Sequence, residues 1–567
     1  MMRSFSIQAL PTIFAALLLC AGTLFASSAA FVDAQVAPKW YCFAFGALAL
    51  LVALAARFFF PPKAQQPGGS LLRWVGAAAA AACTAQALYG VLQYAGALPA
   101  ANGFRVTGSF DNPAGFAASL CAAFPLLLYF AFGKSPWQRG LGWAAAGVVA
   151  PAVALSASRA GALSLAAVGA AAALYKLPRL RRYKVPVLLL CLLLPVGLYL
   201  LKKDSADGRL LIWRCSWEMV KDKPLLGHGH GGFKASYMSY QATFFEEHPD
   251  SRYAMLADNV NRPFNEYVLL LTDYGVAGLA LLLAAVYFLW KSFLRCRREK
   301  MARVAGCCLL SVGVFAFFSY PLRYPFVWIM LSWSVAVIIY RAKYPVKIPR
   351  AAAYPAALLT ILASILLGGV AYRRMADEML WCSVAHQSLA GKTKQMMPTY
   401  DSLYKSLAKN ELFLYNYAAE LNVADDYGKS LQVARECENL WADYDLQMLM
   451  ADSYEKLNQR EAAEGHYRKA AAMCPVKFMP LYRLAKLHAA AGRRSEALAL
   501  AKIIVGKKVK IPSYAVAAIK REMQQLVERE ENLTPAAQNE ASKPPNTQPT
   551  RQGEAPAVQP RGSALPP

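Results

Sequence analysis

Apolar residues recur in long, nearly uninterrupted runs along the first two thirds of the chain. A helix needs about 20 mostly apolar residues to cross a bilayer, and eleven runs before residue 373 come close to that length. They lie at approximately 6–30, 40–59, 72–95, 113–133, 139–157, 160–175, 185–201, 266–290, 304–319, 326–340 and 353–371. The pattern predicts an all-α fold in which residues 1–372 form a polytopic membrane bundle of about eleven spans.

The basic residues indicate how these spans are oriented. The loops at 57–73, 134–139, 176–184, 291–303 and 341–350 together hold 20 Lys and Arg residues. The short loops of the opposite side hold only Lys39, Arg105, Arg159 and Arg323. Because cytoplasmic loops carry the excess of basic residues, we expect a cytoplasmic N-terminus. The long loop 202–265 and everything after about residue 372 are then periplasmic.

The composition supports membrane residence. The 567 residues are 57% hydrophobic and 17% charged, and the mean hydropathy is +0.28, which excludes a purely soluble globular protein. The formal net charge of +26 is explained by basic loops beside anionic lipid, so nucleic-acid binding is not expected. The sequence has no CxxC spacing typical of a metal site and no nucleotide-binding motif of the P-loop or dinucleotide type.

From residue 373 the sequence becomes that of a soluble, Ala-rich and charged helical domain. Similar residues recur at a spacing of 34, as in tetratricopeptide repeats: Tyr454, Ala463, Tyr467, Ala470 and Pro475, followed by His488 and Ala497. We therefore predict periplasmic tetratricopeptide-like repeats over 373–530, whose concave surface binds a protein or peptide partner. The alternative is a helical domain that only stabilises the protein. Residues 531–567 are rich in Pro, Gln and Ser, which predicts a disordered tail.

Several arginines fall at the predicted outer ends of spans or in the outer loop. They are Arg105, Arg159, Arg209, Arg214 and Arg262. An arginine at the membrane boundary costs free energy unless it meets an anion or a watery cavity. Guanidinium groups bind phosphate oxygens through two parallel hydrogen bonds, so these residues are candidate ligands for a diphosphate. The alternative for each is that its side chain only reaches to the polar interface.

Four stretches of the sequence, in order, resemble elements of the superfamily of O-antigen ligases, O-antigen polymerases and protein O-oligosaccharyltransferases. "GSFDNPAGFAASL" (108–120) is similar to the family's G-x-F-x-N-P element, and "LSASRAGALSL" (155–165) to its Ser-Arg-Gly element, here with Ala160 before Gly161. "GRLLIWRCSWEMVKDKPLLGHGHGGF" (208–233) is similar to its Arg, Trp and P-L-x-G-x-G-x-G-x-F stretch. "FNEYVLLLTDYGVAGL" (264–279) resembles its H-N-x-x-L element at the start of a span.

The chain departs from that pattern at one important position. Phe264 precedes Asn265 where the family commonly has His, so the histidine's role cannot be carried over. His228, His230 and His248 lie in the same outer loop and one of them could replace it, although His228 and His230 stand in a Gly-rich turn where a structural role is equally open. Glu266 is a second candidate proton acceptor, with the alternative that it is a favourable carboxylate at a helix N-terminus.

The resemblance implies that a glycan is transferred from undecaprenyl pyrophosphate to an acceptor hydroxyl, with no metal or nucleotide sugar, at the periplasmic face of a bacterial inner membrane. Arg159 and Arg209 are the expected diphosphate ligands, supported by Arg105, Arg214 and Arg262. His228 and Asn265 are further expected substrate contacts, and His230 or Glu266 is expected to accept the proton.

Three acceptors remain open within the superfamily: the lipid A core of lipopolysaccharide, a growing polysaccharide, and Ser or Thr of a protein. Ligation to the lipid A core is the preferred hypothesis. Two alternatives come from other classes, a transporter of lipid-linked glycans and a membrane scaffold that recruits partners through its repeats. A transporter is expected to show duplicated halves and polar residues near the bilayer midplane, whereas the polar candidates here cluster on one face.

Overall fold

The computed structural model describes residues 10–59, 69–176, 203–344 and 349–541, together with the single residues 182, 186 and 197. In this part of the chain every regular element is helical, which confirms the all-α prediction. The first twelve helices of this described part are α1 (Leu10–Phe25), α2 (Ala37–Phe59), α3 (Gly69–Tyr94), α4 (Pro113–Ala131), α5 (Pro136–Leu155), α6 (Arg159–Lys176), α7 (Lys203–Asp222), α8 (Gly232–Glu247), α9 (Glu266–Cys296), α10 (Lys300–Phe318), α11 (Pro325–Ala342) and α12 (Arg350–Gln387).

Seven of the described helices are long and apolar enough to cross a membrane: α2, α3, α4, α9, α10, α11 and α12. Helix α1 is apolar but shorter. Helices α5 and α6 coincide with predicted spans, but an arginine and several glycines lower the hydropathy of each. The predicted span 185–201 lies almost entirely outside the described residues. A multi-pass membrane protein is therefore supported, while the count of eleven spans stays a prediction.

Helix α4 lies at the centre of the bundle. It packs against α3, α5, α6 and α10, and its small residues Ala117, Ala118, Ala122 and Ala123 are buried, which allows helices to approach closely. Buried hydroxyl groups add hydrogen bonds between helices: Ser311 donates to the Cys121 carbonyl (2.6 Å) and Ser164 to the Ser311 carbonyl (2.9 Å). These contacts fix α4, α6 and α10 relative to one another.

The N-terminal ends of α2, α4, α6, α9 and α11 meet at one end of the bundle. Contacts such as those of Trp40 with Arg323 and of Glu266 with Leu322 join these ends. This grouping agrees with the predicted alternation of loops, in which these connections share one side. We call it the candidate-site end; its position on the periplasmic face stays a prediction.

The segment predicted as the long outer loop contains two helices, α7 and α8, followed by an irregular stretch to Asn265. These helices share a hydrophobic core that includes Phe233 and Tyr237 from α8 and Ala470 and Met473 from further along the chain. The Gln241 amide also donates to the Met473 carbonyl (2.7 Å). The predicted loop is therefore a folded element that packs on helices further along the chain.

Beyond α12, a π-helical turn (Ser388–Lys392) leads into further helices. They are α13 (Thr393–Leu407), α14 (Glu411–Val423), α15 (Tyr427–Glu438), α16 (Tyr444–Lys456), α17 (Arg460–Met473), α18 (Met479–Ala490), α19 (Arg494–Gly506) and α20 (Tyr514–Ala541). Helices α14 and α15 pack as one pair and α16 and α17 as the next. In α16 and α17 the residues Ala451, Ala463, Tyr467 and Ala470 are buried. The tetratricopeptide assignment stays a prediction.

The chain divides into two compact units, residues 1–480 and 481–567. The second unit contains α19 and α20, which pack on each other. Helix α20 extends to Ala541, ten residues beyond the predicted start of the tail at 531, and residues 542–567 lie outside the described part.

Candidate functional site

A short connection between α10 and α11 organises the candidate-site end. It forms a single 3₁₀ turn, Pro321–Arg323. The Arg323 guanidinium pairs with the carboxylates of Asp111 (3.2 Å) and Asp33 (3.6 Å), and the Trp40 indole donates to the Arg323 carbonyl (3.0 Å). Burial, the largest effect, opposes the charge of Arg323, but Asp111, Tyr324 and Asp33 together outweigh it and raise its pKa. The charge of Arg323 is therefore balanced by carboxylates, and the residue links the α10–α11 connection to the starts of α2 and α4.

The start of α4 is fixed beside Arg323 by its sequence. Asn112 caps the helix, since its side-chain oxygen accepts the N–H groups of Ala114 (2.8 Å) and Gly115 (3.2 Å), and Pro113 follows at the first helical position. Both residue types are favoured at these positions. The Tyr324 hydroxyl lies 3.3 Å from Asp111 Oδ1. The G-x-F-x-N-P element thus builds a helix start.

Arg209 projects from α7 toward the end of α10. Its Nη1 donates to the Phe318 carbonyl (2.8 Å), one of the carbonyl groups left unpaired at a helix C-terminus. Burial, and next the positive charge of Arg159, lower the pKa of Arg209 to about 10. Arg159, at the start of α6, donates to the Ser205 hydroxyl (2.8 Å). The structure therefore places Arg159 within electrostatic range of Arg209, while their role as diphosphate ligands stays a prediction.

Phe264 occupies the position where the resembling family commonly has His. The Arg209 guanidinium lies over its ring, 5.2 Å from the centroid, and the ring contacts Tyr320 in a T-shaped arrangement (5.4 Å). Phe264 has φ = 54°, which is unusual for a bulky residue. The Trp213 indole donates to the Pro263 carbonyl (2.9 Å) and so restrains this backbone.

Arg262 and Glu266 flank Phe264 on either side in the sequence. The Glu266 carboxylate accepts the Leu322 N–H (3.1 Å) and interacts electrostatically with Arg262. Burial lowers the pKa of Arg262, against the opposing effect of Glu266. Asn265 caps α9 by accepting the N–H groups of Tyr267 (2.9 Å) and Val268 (3.2 Å). This side-chain oxygen is therefore committed to the helix, although the resemblance makes Asn265 a substrate ligand.

Tyr320 lies between Arg209 on one side and Arg262 and Arg323 on the other. Its hydroxyl lies within electrostatic range of Arg209, Arg262 and Arg323, and burial, the largest effect, raises its pKa. We define the arginine cluster as Arg159, Arg209, Arg262 and Arg323, together with Tyr320, Phe264, Glu266 and Asp111. Its four guanidinium groups face three carboxylates, those of Glu266, Asp111 and, paired with Arg323, Asp33. The remaining positive charge favours an anionic ligand.

The histidines of the Gly-rich turn lie elsewhere along α9. The His228 ring is hydrogen-bonded to the Met219 carbonyl (2.9 Å), and that of His230 to the Tyr274 hydroxyl (2.7 Å). Tyr274 is eight residues after Glu266, which corresponds to about 12 Å along a helix. The Asp273 carboxylate accepts the N–H groups of Gly231 (3.1 Å) and Phe233 (2.8 Å). The turn thus attaches the start of α8 to α9.

Three other predicted residues point away from the arginine cluster. The Arg105 guanidinium is exposed over the Tyr94 ring (5.2 Å). Arg214 lies five residues after Arg209 on α7, which places it on another side of the helix, over the Phe244 ring of α8 (5.0 Å). His248 stacks on the same Phe244 ring (4.9 Å). Proximity in sequence therefore did not predict which side chains converge.

Tyr320, Arg323 and Asp111 belong to the cluster but are absent from the sequence-based set of candidates. Two signals were present: Arg323 is one of the few basic residues in the short outer loops, and Asp111 stands inside the G-x-F-x-N-P element. Tyr320 had no such signal, because a tyrosine at the end of a span is ordinary.

Part of the chain matches a known protein family. Residues 144–283 match the family model described as O-antigen ligase. The match includes Arg159, Arg209, Arg262 and Glu266, and ends before Tyr320 and Arg323. None of the curated proteins matches the sequence significantly. The match supports the predicted superfamily and a membrane glycan-transfer role.

Proposed function

We propose that the protein transfers a glycan from undecaprenyl pyrophosphate to a hydroxyl of the lipid A core, at the periplasmic face of the bacterial inner membrane. The arginine cluster is the site that binds the diphosphate. The match to the O-antigen ligase family over residues 144–283 supports the class of reaction. The donor, the acceptor and the orientation in the membrane are parts of the proposal.

The observation that carries the proposal is that the like-charged guanidinium groups of Arg159 and Arg209 lie within electrostatic range of each other. The two guanidinium groups are close enough for Arg159 to lower the pKa of Arg209, so they repel each other. No ion pair between Arg209 and a carboxylate is found among the described residues. Two like charges in a partly buried site are stabilised when an anion binds between them. A diphosphate supplies several oxygens for such forked donors.

The helix N-termini also favour an anion at the candidate-site end. Helices α4, α6, α9 and α11 all begin at the candidate-site end, and each helix N-terminus carries a partial positive charge of roughly half a unit. These dipoles add to the field of the guanidinium groups. Together they stabilise the negative charge that develops on the departing diphosphate.

The reaction itself needs few groups. The acceptor hydroxyl oxygen forms a bond to the anomeric carbon of the donor sugar, while the bond from that carbon to the diphosphate oxygen breaks. The diphosphate leaves with the electron pair and is stabilised by Arg159 and Arg209, with Arg262 in support. The hydroxyl proton passes to a base. Positioning and charge stabilisation supply most of the acceleration.

We assign the proton to Glu266. Its carboxylate lies inside the arginine cluster, anchored by the Leu322 N–H and close to Arg262. His230, bonded to Tyr274, lies about two helical turns further along α9, and the His228 ring is held at the Met219 carbonyl. Glu266 is therefore better placed than either histidine.

The experiment that tests this function is a transfer assay with the purified protein in nanodiscs and undecaprenyl-pyrophosphate-linked glycan. Lipid A core, a periplasmic protein extract and buffer alone are offered as separate acceptors. We expect glycan on the lipid A core with the wild type and none with the Arg159→Ala, Arg209→Ala double variant. Lack of transfer in every arm, beside an active ligase as positive control, would overturn the proposal in favour of transport or scaffolding.

The other acceptor arms identify the alternatives. Glycan on periplasmic protein would make the protein an O-oligosaccharyltransferase, with the repeat helices as the natural place for its acceptor. Lengthened glycan in buffer alone would make it a polymerase. Either result would overturn the lipid A core assignment and leave the arginine cluster as the diphosphate site.

A further inference from the structure

A cavity of about 360 Å³ lies next to the arginine cluster, on the side of the repeat helices. It is bounded by the connection between α1 and α2, by α12 and by the start of α14. Four aromatic side chains contribute to its wall: Phe31, Trp40, Tyr41 and Trp381. Small-molecule sites in proteins typically have volumes of about 300–1,000 Å³ and largely apolar walls with a few polar groups. The cavity lies within this range of volumes, and its wall combines eight apolar or aromatic residues with six polar or charged ones.

The cavity and the arginine cluster share one wall. Asp33 lines the cavity, and its carboxylate lies 3.6 Å from the Arg323 guanidinium. Trp40 also lines it and donates its indole N–H to the Arg323 carbonyl (3.0 Å). The cavity therefore adjoins the arginine cluster on its Arg323 side.

The polar groups of the cavity differ from those of the arginine cluster. Acids and bases are mixed: Asp33, Glu378 and Glu411 with Arg374 and Lys409. Arg374 and Glu378 form an ion pair (3.0 Å), and Lys409 is exposed. Such a wall offers both donors and acceptors, as hydroxyl groups require, but has no excess of positive charge for a diphosphate.

Besides polar groups, a sugar site needs an apolar surface, and the aromatic rings of the cavity supply it. Tyr41 stacks on Phe31 with 5.5 Å between ring centroids, and both Trp40 and Tyr41 are half-buried, so part of each ring is accessible. The C–H faces of a sugar ring pack on aromatic rings, while its hydroxyl groups point sideways toward polar side chains. The cavity offers both surfaces in one place.

We propose that this cavity binds a sugar ring of the glycan chain, beside the diphosphate held by the arginine cluster. The proposal rests on the proposed glycan transfer and names a second subsite for it. The ring belongs either to the donor glycan or to the acceptor core, since both present the same chemistry.

The test measures binding without transfer. The full-length protein in nanodiscs is titrated with two lipid-free probes: the oligosaccharide released by mild acid from the undecaprenyl-linked pool of the producing cells, and the delipidated core oligosaccharide. Saturation-transfer NMR detects contact, and thermophoresis gives the dissociation constant. We expect at least one probe to bind, and inorganic pyrophosphate not to displace it. Binding of the first identifies a donor subsite and binding of the second an acceptor subsite.

Two variants locate the binding. Lys409→Met removes an exposed donor from the cavity, and Lys405→Met, on the preceding helix and outside the cavity lining, is its matched control. We expect the dissociation constant to rise about tenfold for Lys409→Met and to stay unchanged for Lys405→Met. Tyr41→Phe keeps the ring, while Tyr41→Ala removes it, so only Tyr41→Ala should abolish the aromatic contacts.

Failure of this proposal is distinguishable from failure of the proposed function. The Arg209→Ala variant should lose transfer and keep oligosaccharide binding. If neither probe binds, or if both bind Lys409→Met and Tyr41→Ala as tightly as the wild type, the cavity is not a sugar site even when transfer is intact. If binding depends on the cavity and transfer is absent, the sugar site stands and the transfer proposal fails.

Discussion

The guanidinium group of Arg209 lies over the ring of Phe264, 5.2 Å from its centroid. A backbone with positive φ and the hydrogen bond from Trp213 to the Pro263 carbonyl hold the ring there. Strained backbone persists where the surrounding structure imposes it, and such positions cluster at functional sites. Phe264 is therefore a positioning residue for Arg209, in a place where the resembling family commonly has His.

Phe264→Leu should weaken the hold on Arg209 while keeping the site apolar. A cation–π contact contributes about 0.5–2 kcal/mol, so we expect the KM for the lipid-linked donor to rise by a factor of roughly 2 to 30. Phe244→Leu, which removes the ring beneath Arg214, is the matched control and should leave the KM unchanged. Equal effects of the two substitutions in the transfer assay would contradict a special role for Phe264.

Glu266→Gln should remove the proposed proton acceptor while keeping the hydrogen bond that this side chain makes to the backbone. The glutamine oxygen can still accept the Leu322 N–H, so the fold is kept, but the side chain can no longer take a proton. We expect kcat to fall by about 10²–10⁴, the usual contribution of a general base, with little change in KM. His230→Ala is the comparison and should stay within about twofold of the wild type. The opposite pattern would assign the proton to His230.

Gly275→Ala should detach the Gly-rich turn from α9. Gly275 has φ = 60° and ψ = −159°, a region that is essentially restricted to glycine. A Cβ there would lie 2.5 Å from the Leu225 backbone. We expect a loss of about 2 kcal/mol or more and faster hydrogen exchange at 224–232. Gly103→Ala also has a positive φ, but its Cβ meets nothing within 4 Å, so a loss of only about 1 kcal/mol is expected. Similar losses would refute the turn's contact with α9.

Asp443 makes the stability of the contact between segment 203–265 and the start of α16 depend on pH. Its buried carboxylate accepts the Asn259 amide (2.5 Å), and burial raises its pKa, against the opposing hydrogen bonds. Because the folded state holds this proton more tightly, its contribution falls as the pH rises from about 3.9, the unfolded value, through the raised pKa.

Asp443→Asn should remove that pH dependence. An asparagine still caps α16, and its amide can pair with Asn259 Oδ1, a buried atom without a hydrogen-bond partner in the described structure. The difference in apparent Tm between variant and wild type should therefore grow in favour of the variant from pH 4 to pH 7. Glu461→Gln, at an exposed position of α17, should show no such trend. Parallel curves for Asp443→Asn and wild type would contradict the assignment.

The helices were predictable from sequence because their signal is local. Long apolar runs located α2, α3 and α4, and the Asn-Pro pair at 112–113 fixed the start of α4. The site was predictable only in part. Arg159 and Arg209 were found through short motifs, whereas Tyr320 and Arg323 join them through contacts between residues more than a hundred positions apart, such as Arg209 with Phe318. Local sequence patterns do not predict contacts between residues so far apart in the chain.

The folded structure of residues 203–265 is the second feature that sequence did not predict. Its polar, Gly-rich stretches suggested a loop, yet α8 shares a core with α17, and Lys234 pairs with Glu411. The apolar residues of α8 are interspersed with polar ones, because its buried surface faces two partners, α7 and α17. This packing holds α7, and with it Arg209, in place.

The central claim is that Arg209 binds the diphosphate of the glycan donor, and Arg214 on the same helix provides the direct comparison. Transfer from undecaprenyl-pyrophosphate glycan is measured for Arg209→Ala and Arg214→Ala, with Tm as the check on folding. We predict a loss of about 10²–10³ in kcat/KM for Arg209→Ala, as for other donors that stabilise developing charge, and less than about threefold for Arg214→Ala. Equal activity of the two folded variants would contradict the account.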